Sequence, residues 1–497
     1  MRNFQKQEST SKEGALESGP SRSGFFSGVV RQAGARWFAQ ILSWASTIVV
    51  ARLLTSEDYG LVAMAVVYLN VAAMVAELGL GATIVARQEL TDHHIDQLYS
   101  LAGLVGGVIF LLTWSVAPAL AGFFGEPRLR DVVRVMALGT LLTALATVPL
   151  ARARRDLDYR LVSRVELLGA VTTTATVLGL ALLGARFWSL VFGNVIGSGV
   201  MVVALRLASP ARFARPCLAQ LGATLKYSRH ITTQQLAYFA CVYSDSLVIG
   251  RFIGAAPLGL YRFAAQIVSL PSEKIVNVIG SVTLPYFGKL STDLQAMRGF
   301  FLTISELLAT AVIPVLVGMA LVANDFVPLV FGIQWAPSIP LIQVTTVGAI
   351  IQVLSVLVGQ VLTVTNQARL ASRYTLLSLV ILPMTYLLGI AVSPQLFTIA
   401  LIWSLAQPCM NLLAFRQVLR TLGVSATEYL GALVPACAGT AIMAIAVLGM
   451  QRVMQPDASA INRLIGSVAT GGLAYGSVHW GIFRRRNAAL LQLFRAS

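Results

Sequence analysis

Apolar runs of about 20 residues recur along the chain from Phe25 to Phe483, separated by short polar stretches. Crossing a hydrocarbon core of about 30 Å takes roughly 20 helical residues, and no water is present there to satisfy the backbone. Each run therefore predicts a membrane-spanning helix. Fourteen runs fall near residues 27–53, 59–85, 98–122, 131–151, 163–183, 186–206, 226–252, 257–287, 298–322, 338–364, 372–392, 395–415, 426–450 and 461–482. Pro149, Pro271, Pro314 and Pro435 lie inside runs and predict kinks rather than helix ends. Residues 1–24 are rich in Ser, Glu, Gln, Lys and Gly and predict a disordered tail. The fold class is all-α and polytopic.

Charge adds a direction to this picture. Only 12% of the residues are charged, yet the formal net charge is +16, which suits either nucleic acid or a membrane surface. The basic residues sit in short clusters between apolar runs, so they read as topology signals rather than as a nucleic-acid groove. With the N-terminus taken as cytoplasmic, 27 of the 37 Lys and Arg fall on that side, including Arg152, Arg154, Arg155 and Arg160. Both termini are then expected in the cytoplasm, the last as a basic tail over 484–497.

Other chemistry narrows the classes. Cys217, Cys241, Cys409 and Cys437 form no CxxC pair, and His93 and His94 are remote from His230 and His479, so no metal site is expected. Gly288-Lys289-Leu290-Ser291 lacks the glycine spacing of a phosphate loop. No cofactor and no catalytic residue is expected, and no serine elbow or HExxH is present.

An internal repeat organises the runs. Arg52-Leu53-Leu54 with Tyr59-Gly60-Leu61 is matched by Arg251-Phe252-Ile253 with Leu258-Gly259-Leu260, at an offset of 199 residues. RLVSRVELL over 160–168 is matched by RLASRYTLL over 369–377. Six spans, an even number, separate the copies, so the two lobes insert in the same direction around an axis along the membrane normal. The expected domains are an N-lobe over 25–210, a C-lobe over 221–420, and two further spans over 425–483.

Polar residues inside the runs fall on helical faces. Gln32, Arg36, Gln40, Ser43 and Thr47 share one stripe, as do Arg262, Gln266, Ser269, Glu273 and Asn277. Asn70 and Glu77 share a face, and Gln234, Tyr238, Cys241 and Asp245 follow another. Charged groups at membrane depth face a bundle interior or water, so four such stripes predict a wet central cavity. Gly103-Gly107 and Gly193-Gly197 have the GxxxG spacing and predict close helix packing.

Several ordered motifs resemble a known family. They are Leu54 to Met64, Glu77-Leu78-Gly79-Leu80-Gly81-Ala82, Phe123-Phe124-Gly125-Glu126-Pro127, Trp188-Ser189-Leu190-Val191, Asp245 to Gly250, Pro257 to Tyr261, and Leu284-Pro285. Together they resemble the Wzx-type polysaccharide exporters of the multidrug, oligosaccharide-lipid and polysaccharide superfamily, in the subgroup of colanic and teichuronic acid exporters. The resemblance covers roughly residues 30 to 420. It implies two six-helix bundles flanking a cavity that works by alternating access in a bacterial inner membrane. The implied cargo is an undecaprenyl-pyrophosphate-linked oligosaccharide. The implied partners are membrane lipids and a polysaccharide polymerase and export complex.

For such a cargo, guanidinium groups supply forked hydrogen bonds to phosphate oxygens and stay charged when partly desolvated. Arg36, Arg262, Arg31 and Lys274 are the cationic candidates, with Gln40, Gln266, Asn70 and Tyr238 as polar lining. Two readings stay open for Arg262, cavity lining or pairing with Glu273 or another helix's acid, and Arg36 also fits a snorkelling interface residue. Glu77, Asp245 and Glu273 are candidates for ion coupling or for neutralising nearby arginines. The rival classes are an ion-coupled multidrug exporter of the same fold and a membrane enzyme, which would need a large outer loop.

Overall fold

The computed structural model describes residues 43–87, 89–208, 212–216, 222, 232–233, 235–237, 239–454 and 459–481. The predicted tails over 1–24 and 484–497 lie outside them, as do Gln32, Arg31, Arg36, Gln40, Gln234 and Tyr238. Among the described residues the chain is helical throughout. Residues 43–53 form α1, followed by α2 (Ser56–Glu77), α3 (Leu80–Ala86), α4 (Asp92–Phe124), α5 (Leu129–Arg155), α6 (Tyr159–Leu182) and α7 (Phe187–Ala208). After the linker come α8 (Ser244–Phe252), α9 (Ala255–Lys289), α10 (Leu294–Val330) and a 3-10 turn (Ile333–Ser338). The chain continues through α11 (Ile339–Val364), α12 (Ala368–Val392), α13 (Leu396–Leu422), α14 (Ala426–Val453) and α15 (Ala460–Gly481).

Nine helices among the described residues are long and apolar enough to cross a membrane. None of the predicted prolines ends a helix: Pro149, Pro271, Pro314 and Pro435 all lie inside continuous helices. One run divides. The stretch read as 59–85 is two helices, because Leu78 and Gly79 both take left-handed backbone (φ 51 and 65) and end α2 at Glu77. Apolar character carries on through this break, so hydropathy alone does not reveal it.

Packing follows chain order in two groups. α2 and α5 contact each other and both contact α4 and α7, and α6 packs on α7. At that pair the predicted close approach is present: a Cβ on Gly193 would fall 2.2 Å from Val177, and one on Gly197 would fall 1.8 Å from the Thr173 hydroxyl. Gly103 also sits near Leu145, whereas Gly107 has open space around it. In the second group α9, α10 and α11 pack together, with α13 on α11 and α12 on α13. The last two helices dock on α10. Arg298 of α10 pairs with Glu428 of α14 at 2.6 Å, and Arg463 of α15 pairs with Asp325 of α10 at 2.7 Å. The groups meet chiefly where α2 crosses α9.

Candidate functional site

The α2–α9 crossing is built from two glycines. A Cβ on Gly60 would fall 1.7 Å from the Ala255 carbonyl oxygen, and one on Gly259 would fall 1.8 Å from the Ser56 carbonyl oxygen. Gly60 corresponds to Gly259, and Ser56 to Ala255, under the same offset of 199 residues. The two copies therefore touch through equivalent atoms, as a twofold relation requires. Only glycine admits backbones at this separation.

Around this crossing one end of the bundle is closed by two helix ends that cap each other. The final carbonyls of a helix lack partners within it. The Ala51 carbonyl accepts from the Trp335 indole N–H at 2.8 Å and from Gln334 at 3.1 Å. In return Arg52 donates to the Val330 carbonyl at 2.8 Å and to the Leu329 carbonyl, the last residues of α10. Trp335 is fully buried, with its ring stacked 4.0 Å from Phe263 and met edge-on by Tyr59. Ion pairs extend the same end: Arg128 bridges Glu57 and Glu126, and Arg186 lies 3.3 Å from the buried Asp58. Outside the spans, the Arg128 guanidinium holds the Glu126 carboxyl below the usual carboxylate range.

Beside the crossing lies a cavity of about 680 Å³, bordered by Tyr59, Val62, Tyr261, Arg262 and Trp403. It continues along α9 through Gln266, Ser269 and Glu273 to Val276. From Tyr261 to Val276 the helical rise amounts to about 22 Å. α9 thus presents the stripe that its spacing predicts. The described wall opposite is different: Val62, Ala63, Val66 and Leu190 are apolar, and Asn194 turns its amide back to the Leu190 carbonyl of its own helix.

Arg262 is half-buried and lies 3.9 Å from Asp245, with its guanidinium 4.6 Å over the Tyr243 ring. Among the described residues it makes no hydrogen bond, and one terminal nitrogen is buried without one. Asp245, by contrast, accepts three hydrogen bonds from the protein. One carboxylate oxygen accepts 2.7 Å from the Tyr261 hydroxyl, and the other accepts from the Ser246 hydroxyl at 2.9 Å and from the Ser246 backbone. A buried carboxylate is tolerated when hydrogen bonds and a counter-charge compensate its lost hydration. Asp245 is held by protein donors while the Arg262 guanidinium keeps donors to spare, so the open group at this end of the cavity is a cation, with the Glu273 carboxylate further along α9.

The other predicted residues divide. Gln266 and Glu273 border the cavity, and Asn70 reaches it indirectly by donating 3.1 Å to the Tyr243 hydroxyl. Arg262 and Glu273 are not a pair; eleven residues on one helix separate them by about 16 Å, and Asp245 is the acid beside the guanidinium. Lys274 and Glu77 lie off the cavity wall, Glu77 in the charge field of Arg154. Sequence reasoning missed Tyr243, Gln352 and Trp403, which also border the cavity. Gln352 and Trp403 belong to no polar stripe at helical spacing, and Tyr243 lies about 200° round from Asp245, off the face that Asp245 shares with Cys241.

The described helices form two groups beside a cavity that is polar along α9 and apolar along α2, and nine of them are long and apolar enough to cross a membrane, as in a multi-pass membrane protein. The chain's fold is that of the "Lipid II flippase MurJ, inward closed conformation", with a TM-score of 0.74 at 11% identity over 92% of this chain and all of that one. An inward-facing multidrug resistance MATE transporter of the MOP superfamily matches with a TM-score of 0.64 at 13% identity, over 78% of this chain and 94% of that one. The chain belongs to the family described as polysaccharide biosynthesis protein, matched over residues 49–340. Among curated relatives, the teichuronic acid biosynthesis protein TuaB of Bacillus subtilis (strain 168) is 25% identical, over 81% of this chain and 84% of its own length. The lipopolysaccharide biosynthesis protein WzxC of Escherichia coli (strain K12) is 23% identical, over 66% and 69%. The succinoglycan biosynthesis transport protein ExoT of Rhizobium meliloti (strain 1021) is 25% identical, over 61% of each chain. The solved structures share its fold, and the family and the curated relatives are named for polysaccharide biosynthesis.

Proposed function

We propose that the chain is a flippase for undecaprenyl-pyrophosphate-linked oligosaccharide, working by alternating access in a bacterial inner membrane. The observation that carries this reading is Arg262, a guanidinium on the cavity wall that makes no hydrogen bond to the described protein. A desolvated cation with spare donors suits diphosphate oxygens, which accept forked hydrogen bonds. Asp245, 3.9 Å away, balances that charge when the cavity is empty. It and Glu273 are also the carboxylates through which an ion gradient would couple. Arg31, Arg36 and Gln40 of the first span, with Tyr238, complete the proposed lining, and Glu77 and Lys274 act outside the cavity wall.

The bundle is then two lobes, residues 25–210 and 221–420, that rock about the glycine crossing. The basic connections lie at the opposite end from Arg52, and the positive-inside rule supports a cytoplasmic side for both termini and for the accessible side of the cavity. The mutual caps of α1 and α10 close the outer side in this state. A polysaccharide polymerase and export complex would consume the delivered units. A multidrug exporter is the second reading, favoured by the apolar wall of Val62, Ala63 and Val66.

Deleting the gene and measuring lipid-linked oligosaccharide separates the two. Such lipids are expected to accumulate on the cytoplasmic leaflet, with the intact gene restoring flux and Arg262→Ala leaving it at least about tenfold lower. Unchanged lipid-linked pools in the deletion strain would overturn the flippase reading.

A further inference from the structure

Trp403 differs from Trp335, Trp188 and Trp114, whose rings all have partners. Trp335 stacks on Phe263 and donates its N–H to Ala51, Trp188 stacks on Phe192, and Trp114 lies under the Arg134 guanidinium. Trp403 borders the cavity, and among the described residues its ring has no aromatic or cationic partner and its N–H has no acceptor. It is nonetheless held in place. A Cβ on Gly348 would fall 2.7 Å from Trp403 Cζ3 and 2.8 Å from Ser404 Cα, so the indole edge rests directly on the α11 backbone. The neighbouring Ser404 hydroxyl donates 2.9 Å to the Val344 carbonyl and ties α13 to α11 at the same level.

One turn along α11 from Gly348, Gln352 reaches the same cavity, and Gln266 faces it from α9. Neither side-chain amide is hydrogen-bonded to the described protein, and each offers two donors and an acceptor. A fixed aromatic surface beside open amides matches a pyranose. Its C–H faces meet the electron-rich ring, and its hydroxyls both donate and accept. An apolar cargo would use the indole but strip water from the amides without replacing it, which is unfavourable.

We propose that Trp403, flanked by Gln352 and Gln266, is a saccharide platform that reads a sugar ring of the cargo while Arg262 takes the diphosphate. The proposal rests on the flippase reading and assigns specificity within it. Trp403 is a specificity residue, so its loss affects the sugar and leaves the lipid diphosphate bound.

The test uses purified full-length protein and two probes, undecaprenyl pyrophosphate and the same lipid carrying one glucose. The wild type is expected to prefer the glucosylated lipid. Trp403→Ala should reduce that preference by about fivefold to tenfold while holding affinity for the sugar-free lipid within about twofold. Trp403→Phe should keep most of the preference, and Arg262→Ala should weaken both lipids alike. A Trp403→Ala protein that retains the preference, or loses both lipids equally, overturns the platform and leaves the flippase reading standing. A wild type that binds both lipids without distinction does the same. A wild type that binds neither lipid removes the flippase reading as well.

Discussion

α2 and α9 are copies of one helix, and they agree where they touch and differ where they face the cavity. At the crossing, Gly60 and Gly259 perform the same task on each other's backbone. One turn further the chemistry parts: Val62 and Ala63 of α2 stand where α9 has Tyr261 and Arg262. Val67 and Met74 likewise stand where α9 has Gln266 and Glu273. The duplicated feature is the backbone contact, which permits no side chain. The cavity wall lies under no such steric demand, so polar groups could collect on one copy while the other kept an apolar surface. The crossing is symmetric, and the cavity surface of the two helices is one-sided.

The sharpest way to break this comparison is to fill the crossing. Gly60→Ala and Gly259→Ala should each destabilise the protein by about 3 kcal/mol, because backbone carbonyls at this separation cannot move independently of their helices. The two effects should be similar in size and less than additive when combined, since either change already forces the helices apart. Gly107→Ala, with nothing within 4 Å of its added methyl, should be neutral or slightly stabilising through helix propensity. Thermal unfolding in detergent reads all four proteins. If Gly60→Ala unfolds like Gly107→Ala, the helices are not locked as described.

A second pair sharpens the difference below the crossing. Asn70 and Ser269 occupy equivalent positions, but Asn70 donates to Tyr243 across to the other group, whereas Ser269 bonds the Gln266 carbonyl of its own helix at 3.1 Å. Asn70→Ala should cost about 1 kcal/mol, and Ser269→Ala a few tenths at most. Equal losses, measured by the same unfolding assay, would mean that the cross-lobe hydrogen bond contributes nothing particular.

Much of this was legible in the sequence, for identifiable reasons. Helices in lipid must be long and apolar, so hydropathy finds them, and the repeat of Tyr59-Gly60-Leu61 in Leu258-Gly259-Leu260 already contained the crossing glycines. The stripe of Arg262, Gln266 and Glu273 followed from helical spacing on α9. What spacing cannot provide is a partner on another helix. Asp245 beside Arg262, Trp335 on Ala51 and Trp403 on Gly348 are contacts between residues distant in the chain. The end of α2 was hidden for another reason: Leu78 adopts a left-handed conformation that its residue type does not announce.

The smallest expected effect lies in the first turns of the two copies, where only α2 carries acid. Glu57 is bridged through Arg128 to Glu126, whereas the position equivalent to Glu57 in α9 is Ala256. Hydrogen bonds from Arg128, reinforced by its charge, hold the Glu126 carboxyl below the usual carboxylate range. A carboxyl depressed in the folded state adds stability that is fully present above its unfolded value, about 4.3, and is lost as pH falls through the lower folded value. The melting temperature should therefore be insensitive to this group at neutral pH and acquire an extra acid-side decline. Glu126→Gln should remove that decline, by no more than about 2 °C, because the Arg128 side of the bridge is well exposed and screened. Pairing Glu126→Gln with Arg128→Met tests the cause: if the acid-side difference survives without the guanidinium, it comes from another carboxylate. The asymmetry between the helix starts would then have no electrostatic consequence.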